Sequence, residues 1–248
     1  MSGNDQDHSS KGNETKEVSM KRRIVVFSSV VVILLIAAIF YMIFSDQQRN
    51  QVRPHKKTVT HKVVQASPMD YNGHPFIGST NVPVRIAVFS DYRCPYCKLF
   101  DQQILPRIEK EYVKSDKVSI YFYNYTILGP GSTLAANASA EVYQQNPKAF
   151  FAFHQALFNA QGSEKKQWVT KKLLTNLAKK TVPSLDMKAF QNALDTKSRQ
   201  QEVDNDNQLA ESLGVQGTPT ILINGKINDN ALELGKLKQA INQALPKE

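Results

Sequence analysis

The only two cysteines in the 248-residue chain lie two residues apart, in Cys94-Pro95-Tyr96-Cys97. With both thiols in one tetrapeptide, no disulfide can staple distant parts of the chain, so an apolar core has to hold the fold. A secreted domain that depended on disulfides would carry further pairs. Both thiols are therefore set aside for chemistry. Composition supplies the core: 41% of the residues are hydrophobic, with twelve Phe and nine Tyr.

The tetrapeptide sits where an apolar, mostly β-branched run at 84–89 gives way to helical spacing. Two thiols at the first turn of a helix can close a small disulfide. The sulfur nearer the helix start faces unsatisfied N–H groups and the positive end of the helix dipole, which favours thiolate. Cys94, at an exposed helix start, is thus the candidate nucleophile. Cys97, one turn further in, is the candidate resolving thiol that attacks a mixed disulfide from within. Half of a zinc site is the competing reading of such a pair. Zinc takes four ligands, commonly a second CxxC or histidines at helical spacing. The five histidines, His8, His55, His61, His74 and His154, are scattered. Redox chemistry is favoured, with no metal and no cofactor other than a Cys94–Cys97 disulfide.

Residues 1–23 are polar, lack periodicity and read as a disordered tail. Lys21, Arg22 and Arg23 then abut 24–44, which carries no charge and has Ser28 and Ser29 as its polar breaks. At about 1.5 Å per residue such a helix spans roughly 30 Å, the thickness of a bilayer core. A cleaved signal peptide would have a shorter apolar region and an A-x-A-like site; neither is found here, so an uncleaved transmembrane anchor is expected. The basic cluster touching the span puts the tail in the cytoplasm and the bulk of the chain outside, since Arg49, Arg53, Lys56 and Lys57 begin further from the membrane. Segment 45–72 reads as an extracytoplasmic tether, with a short added edge strand at 58–64.

From 73 to 248 the pattern is that of one α/β domain. Strands are expected at 84–89 and 118–125, as parallel neighbours joined through a helix that carries Leu99, Phe100, Ile104, Leu105, Ile108 and Tyr112 and is kinked at Pro106. From 131 to about 213 the signals are helical throughout. Asn146-Pro147 caps a helix bearing Phe150, Phe153 and Leu157, further helices are expected at 168–180 and 185–213, and Gly214 is a stop. Strand character returns at 220–223, followed by the type I′ turn signal Asn224-Gly225, a partner strand at 226–228 and a closing helix at 232–245. Beyond the anchor the chain carries 26 basic and 18 acidic residues, and that net charge of +8 suits attraction to an anionic cell envelope. No aromatic-basic motif accompanies it, so nucleic acid is not an expected partner.

The order strand, CPYC, helix, strand, helical insert, Gly217-Thr218-Pro219-Thr220, hairpin, helix resembles the thioredoxin superfamily. The insert of about 80 residues resembles that of its DsbA branch. Within it, the run from Phe89 to Cys97, the Ile127-Leu128-Gly129 step and the run from Gly214 to Thr220 are similar to the membrane-anchored Gram-positive DsbA-like oxidoreductases of the BdbD type. The resemblance implies a thioredoxin fold, a mixed central sheet flanked by helices with a large all-helical insertion at about 131–213. It implies a cis bond before Pro219 and a substrate-binding role for Thr218 and Pro219 beside the sulfurs of Cys94 and Cys97. It implies an oxidoreductase that introduces disulfides into exported proteins with free cysteines, recycled by a quinone-linked membrane thiol oxidase. Where the namesake has His between the cysteines, this chain has Tyr96, so one donor to the thiolate is replaced.

A reductase or isomerase fed by a membrane electron donor, and a non-catalytic peptide-binding folding factor, are the alternatives. Among other polar residues, Asp91 is read as an exposed turn residue in preference to a proton shuttle for Cys97, and His154 as a packed core residue. The run from Asp204 to Asn207 lacks the central Gly and terminal Glu of a calcium loop and reads as a solvated helix face, like the lysine pairs at 165–166 and 171–172.

Overall fold

Alternation along three apolar strands decides the architecture. In a computed structural model that describes residues 69–247, β1 (Phe76–Ile77), β2 (Val84–Ser90), β3 (Val118–Asn124), β4 (Thr220–Ile223) and β5 (Lys226–Asn228) form one sheet in the order β1-β3-β2-β4-β5. The β2–β3 pair is parallel, in register from Val84 opposite Val118 to Ser90 opposite Asn124, and the other pairs are antiparallel. Val84, Ile86, Val88, Ile120, Phe122 and Ile221 share one face with residues of the first and last helices. Ala87, Phe89, Tyr121, Tyr123 and Leu222 share the other. A one-residue slip would exchange these faces, so burial on both sides fixes the register.

The first helix, α1, runs through 95–113. It alternates α-helical turns (Pro95–Leu99, Leu105–Ile108) with π-helical ones (Phe100–Ile104, Glu109–Val113). Pro106 lacks the N–H that would bond the preceding turn. The helix passes through it by changing its hydrogen-bond spacing: the Leu105 N–H reaches back five residues to the Phe100 carbonyl. The insert contributes α2 (Pro130–Gln145), α3 (Phe150–Asn159), α4 (Lys171–Thr181), α5 (Met187–Thr196) and α6 (Gln200–Ser212), and α7 (Leu234–Ala244) closes the chain. Phe153, Leu157, Phe158, Leu174, Phe190 and Leu194 form the core of the insert. Ala210 and Leu209 of α6 cover the second sheet face.

Several local signals act as expected. Asn146 accepts from the Ala149 N–H, Asn224 and Gly225 both have positive φ (47° and 78°), and Gly214 (φ 79°) ends α6. Three expectations are corrected. The single helix at 185–213 is two helices, because Lys197 adopts a left-handed conformation (φ 54°) and the chain turns there. The helix expected from 168 begins at Lys171, where Thr170 accepts from the Leu173 N–H at 3.1 Å and so leaves Trp168 in a loop. The lysines at 165–166 lie in that loop as well, not on a helix face. At the other end of the domain, Tyr71 packs on Tyr121 with ring centroids 4.6 Å apart, and Tyr123 Oη donates to the Asp70 carbonyl.

Among the described residues no helix is long and apolar enough to cross a membrane. The tail at 1–23, the span at 24–44 and the tether up to residue 68, with its strand at 58–64, lie outside the described residues.

Candidate active site

Strand β2 ends at Ser90, and four residues turn the chain onto α1. Asp91 makes the turn: its carboxylate accepts from the Arg93 N–H at 2.8 Å and the Leu128 N–H at 3.1 Å. The expectation of an exposed turn residue is corrected, because Asp91 is 1% exposed and binds a second loop as it turns the first. Burial raises its carboxyl pKa against the pull of those hydrogen bonds.

Cys94 follows with extended backbone (φ −76°, ψ 119°), and Pro95 starts the helix. The Cys94 carbonyl accepts from the N–H groups of Cys97 (3.1 Å) and Lys98 (3.2 Å), which fixes the first turn. Both thiols are free. Cys94 does not stand open at the helix start: it is 5% exposed and Cys97 1%, and the side chain on display between them is Tyr96, at 61%. The cover comes from the start of β4. Phe89 pairs with Thr220, which carries the Thr218–Pro219 peptide, in the cis form, up against the sulfur. The Cys94 thiol donates to the Thr218 carbonyl at 3.3 Å.

The two thiols are driven in opposite directions. A hydrogen bond from the Cys97 thiol, followed by the Thr218 side chain and the N–H groups of Cys97 and Tyr96, outweighs partial burial and brings Cys94 down to about 6. Cys97 is pushed well above the ordinary thiol value, first by burial and then by Cys94, although the Asp91 N–H (3.5 Å) and Ser90 favour its thiolate. A low-pKa sulfur in front of a protonated one is the arrangement that thiol–disulfide exchange needs in a nucleophile and its resolving partner.

The insert grips the loop from behind. Gln161, just past α3, donates to the carbonyls of Tyr92 (2.8 Å) and Cys94 (3.0 Å). Arg93 is buried, and its guanidinium donates to the carbonyls of Leu128 and Glu164, the latter at 2.7 Å. Tyr92 Oη lies 2.9 Å from His154 Nδ1, and His154 Nε2 lies 2.9 Å from Asp101 Oδ1. A neutral imidazole protonated on Nε2 satisfies both contacts. His154 is thus a packed core residue, as expected, and also a polar tie between α3, the loop and α1. The acidic run in α6 is corrected: Asp206 is 6% exposed, and its Oδ2 accepts from the Asn124 N–H at 2.9 Å at the end of β3. Sequence reasoning missed Arg93, Asp101, Gln161 and Asp206. Their partners are 35 to 82 residues away, and no local pattern marks them.

A sequence profile of the thioredoxin family matches residues 70–243. The chain is 36% identical over 173 residues to disulfide bond formation protein D of Bacillus subtilis (strain 168), an alignment that covers 70% of this chain and 78% of that protein. Its structure is similar to that of oxidised BdbD from Bacillus subtilis, with a TM-score of 0.69, 34% identity and coverage of 72% of this chain and 96% of the other. The fold is also similar to that of Chlamydia trachomatis DsbA, at a TM-score of 0.64, 22% identity and coverage of 71% and 94%.

Proposed function

The chain belongs to the thioredoxin family and, within it, to the DsbA-like thiol:disulfide oxidoreductases of the BdbD type; on that premise we propose that it is an extracytoplasmic dithiol oxidase that introduces disulfides into exported proteins. The observation that carries this reading is the pair of free thiols at the start of α1, with the Cys94 sulfur 3.3 Å from the Thr218 carbonyl beside the cis Thr218–Pro219 peptide; in that setting Cys94 is brought down to about 6 and Cys97 is pushed up. In the cycle a substrate thiolate attacks the Cys94 sulfur of the Cys94–Cys97 disulfide, and Cys97 leaves and takes up a proton. A second substrate thiolate attacks the substrate sulfur of the mixed disulfide and expels Cys94. The substrate loses two electrons and two protons and gains a disulfide; the enzyme ends as the dithiol. Expulsion is favourable because Cys94 leaves as a stabilised thiolate. Pro95 and Tyr96 form the dipeptide over which substrate approaches, and Thr218 and Pro219 flank the extended chain whose cysteine is attacked. A quinone-linked thiol oxidase of the membrane reoxidises the enzyme.

Residues 24–44 anchor this domain, with 1–23 in the cytoplasm, 45–72 as tether, and the catalytic domain at 73–248, including its helical insert at about 131–213, outside. External protease on intact cells then digests the domain and leaves a membrane-bound stub; protection of Cys94 from external thiol reagents reverses the topology. Equilibration of the full chain with glutathione buffers gives its reduction potential. A value above about −230 mV supports the oxidase, and one near or below about −270 mV assigns a reductase instead.

A further inference from the structure

Each time the bond between Cys94 and Cys97 forms or breaks, Cys97 must give up or take a proton, and its side chain is 1% exposed. At the carboxyl ends of β2 and β3 lies a cavity of about 490 Å³ whose walls include Ser90, Tyr92, Asn124, Tyr143, His74 and Asp206. Ser90 lines the cavity and adjoins Asp91, whose N–H reaches the Cys97 sulfur at 3.5 Å, and the Ser90 hydroxyl favours the Cys97 thiolate. Its register partner on β3 is Asn124, whose N–H (2.9 Å) and side-chain amide (3.2 Å) both go to Asp206 Oδ2. Adjacent strands lie about 5 Å apart. Ser90, beside the backbone donor to Cys97, and Asn124, which holds Asp206, are therefore neighbours at one end of the sheet. Asp206 Oδ1 is 3.7 Å from His74 Nδ1, beyond hydrogen-bond length, and so keeps a free acceptor site.

We propose that Asp206 is the proton acceptor and donor for Cys97, and that protons pass between them through the Ser90 hydroxyl and water in this cavity. The proposal rests on the dithiol cycle above. When a mixed disulfide on Cys94 is resolved, the Cys97 proton passes to Ser90 Oγ as the Ser90 proton moves through water to Asp206. The Cys97 thiolate then bonds the Cys94 sulfur, and the other sulfur leaves with the electron pair. In the opposite direction Asp206 returns the proton to the departing Cys97.

The surroundings of Asp206 suit that exchange. Burial, with a smaller push from Glu202, raises it to about 7 against its bonds to Asn124, near the pH at which a proton carrier works best. Arg199 ties up Glu202 at 2.9 Å. Burial brings His74 down to about 4 despite Asp70, so it is neutral at physiological pH and leaves the carboxyl free to titrate. Burial also holds the Tyr123 phenol protonated, well above its ordinary value. Asp91 is nearer in sequence, but the Arg93 and Leu128 N–H groups each take one of its carboxylate oxygens, and it meets Cys97 through its backbone N–H.

The test isolates the intramolecular step. Reduced full-length protein is mixed with oxidised glutathione, and release of the second glutathione is followed by quenched flow between about pH 5 and 9, where no external thiol titrates in the measured step. The parent rate should rise through an inflection near 7. Asp206→Asn, which keeps an oxygen for the Asn124 amide, should lose the inflection and slow roughly tenfold or more at about pH 8. Ser90→Ala should do the same, Ser90→Thr should keep the inflection, and the double variant should be no slower than the slower single one. An inflection near 7 that survives in Asp206→Asn overturns the relay, as does one that disappears only in Asp91→Asn. Uniform slowing at every pH with the inflection intact also counts against it, because that is what a loosened fold gives. A parent that releases no second glutathione would remove the dithiol cycle and the relay together.

Discussion

The sheet half and the helical insert both reach the Cys94–Cys97 pair, but with different chemistry. β2 and α1 carry the two sulfurs, and the pairing of Phe89 with Thr220 brings Thr218 and Pro219 to them. All of this follows from strand register over an apolar core. The insert reaches the same loop with polar groups: Gln161 on two carbonyls, His154 on Tyr92, and the Glu164 carbonyl on Arg93. It also packs the thiols, since Cys94 and Cys97 share a cluster with Phe153, Leu157 and Phe158. The sheet half sets where the sulfurs are and supplies the hydrogen bonds that lower Cys94, and the insert adds burial, which raises both thiols. Hydrogen bonding and burial are therefore separable by mutation.

The largest effect should come from the sheet side. Cys94→Ser abolishes disulfide transfer, whereas Cys97→Ser keeps the nucleophile without its internal escape route and accumulates reductant-sensitive adducts with substrates on a trapping gel. Adducts on Cys94→Ser alone would place the nucleophile at the wrong sulfur. Next come the two cores. Phe153→Ala and Phe89→Ala, both at fully buried positions, should each cost about 3–5 kcal/mol in denaturant unfolding. They should differ in thiol titration: Phe153→Ala, which relieves burial around the thiols, lowers the Cys94 pKa further, and Phe89→Ala, which loosens the strand pairing that carries Thr218, moves it back toward the ordinary value. Equal shifts in both would erase the division between the halves.

A smaller effect links titration to stability. The Cys94 pKa is depressed from 9.0 to about 6 in the folded reduced protein. The resulting extra stability is fully present above the unfolded value and is lost as pH falls through about 6. At pH 7 it is on the order of 1 kcal/mol. The reduced protein should melt above the oxidised one at neutral pH, and the gap should close on acidification; a gap that widens instead contradicts the assignment. The smallest effect is expected for Gln161→Ala. Loss of its two hydrogen bonds should cost about 1 kcal/mol and raise the Cys94 pKa slightly with the fold intact. No change in that titration would mean that the insert only supports the loop.

What could be read from the sequence had its cause nearby. The alternating run that became Val118–Asn124, the Asn146-Pro147 cap and the Asn224-Gly225 turn are each determined within a few residues. The CxxC at the carboxyl end of β2 belongs with them. Lys197 shows the opposite case, because nothing in a lysine announces a left-handed backbone. Pro106 announced a disturbance but not its form, since the π-helical turns depend on what α1 packs against. A polar residue after a strand is ordinarily solvated, so the sequence points to an exposed Asp91; its burial depends on the 127–129 loop arriving over it. Gln161 and Asp206 acquire their roles from residues on other elements, and helical periodicity carries no trace of that.

The seam through which the insert joins the sheet has a consequence for how such a chain can diversify. It leaves at Gly129 and comes back at Gly214, both in positive-φ turns, and just outside them Tyr125 Oη donates to the Val215 carbonyl at 3.3 Å. The two ends of an excursion of more than eighty residues are thus clasped by one hydrogen bond. Because closing a loop grows costlier only slowly with its length, this clasp works as a docking port: helices other than α6, which covers the sheet and holds the end of β3, can be lengthened, shortened or exchanged beyond it while the strand pairing on the near side stays as it is.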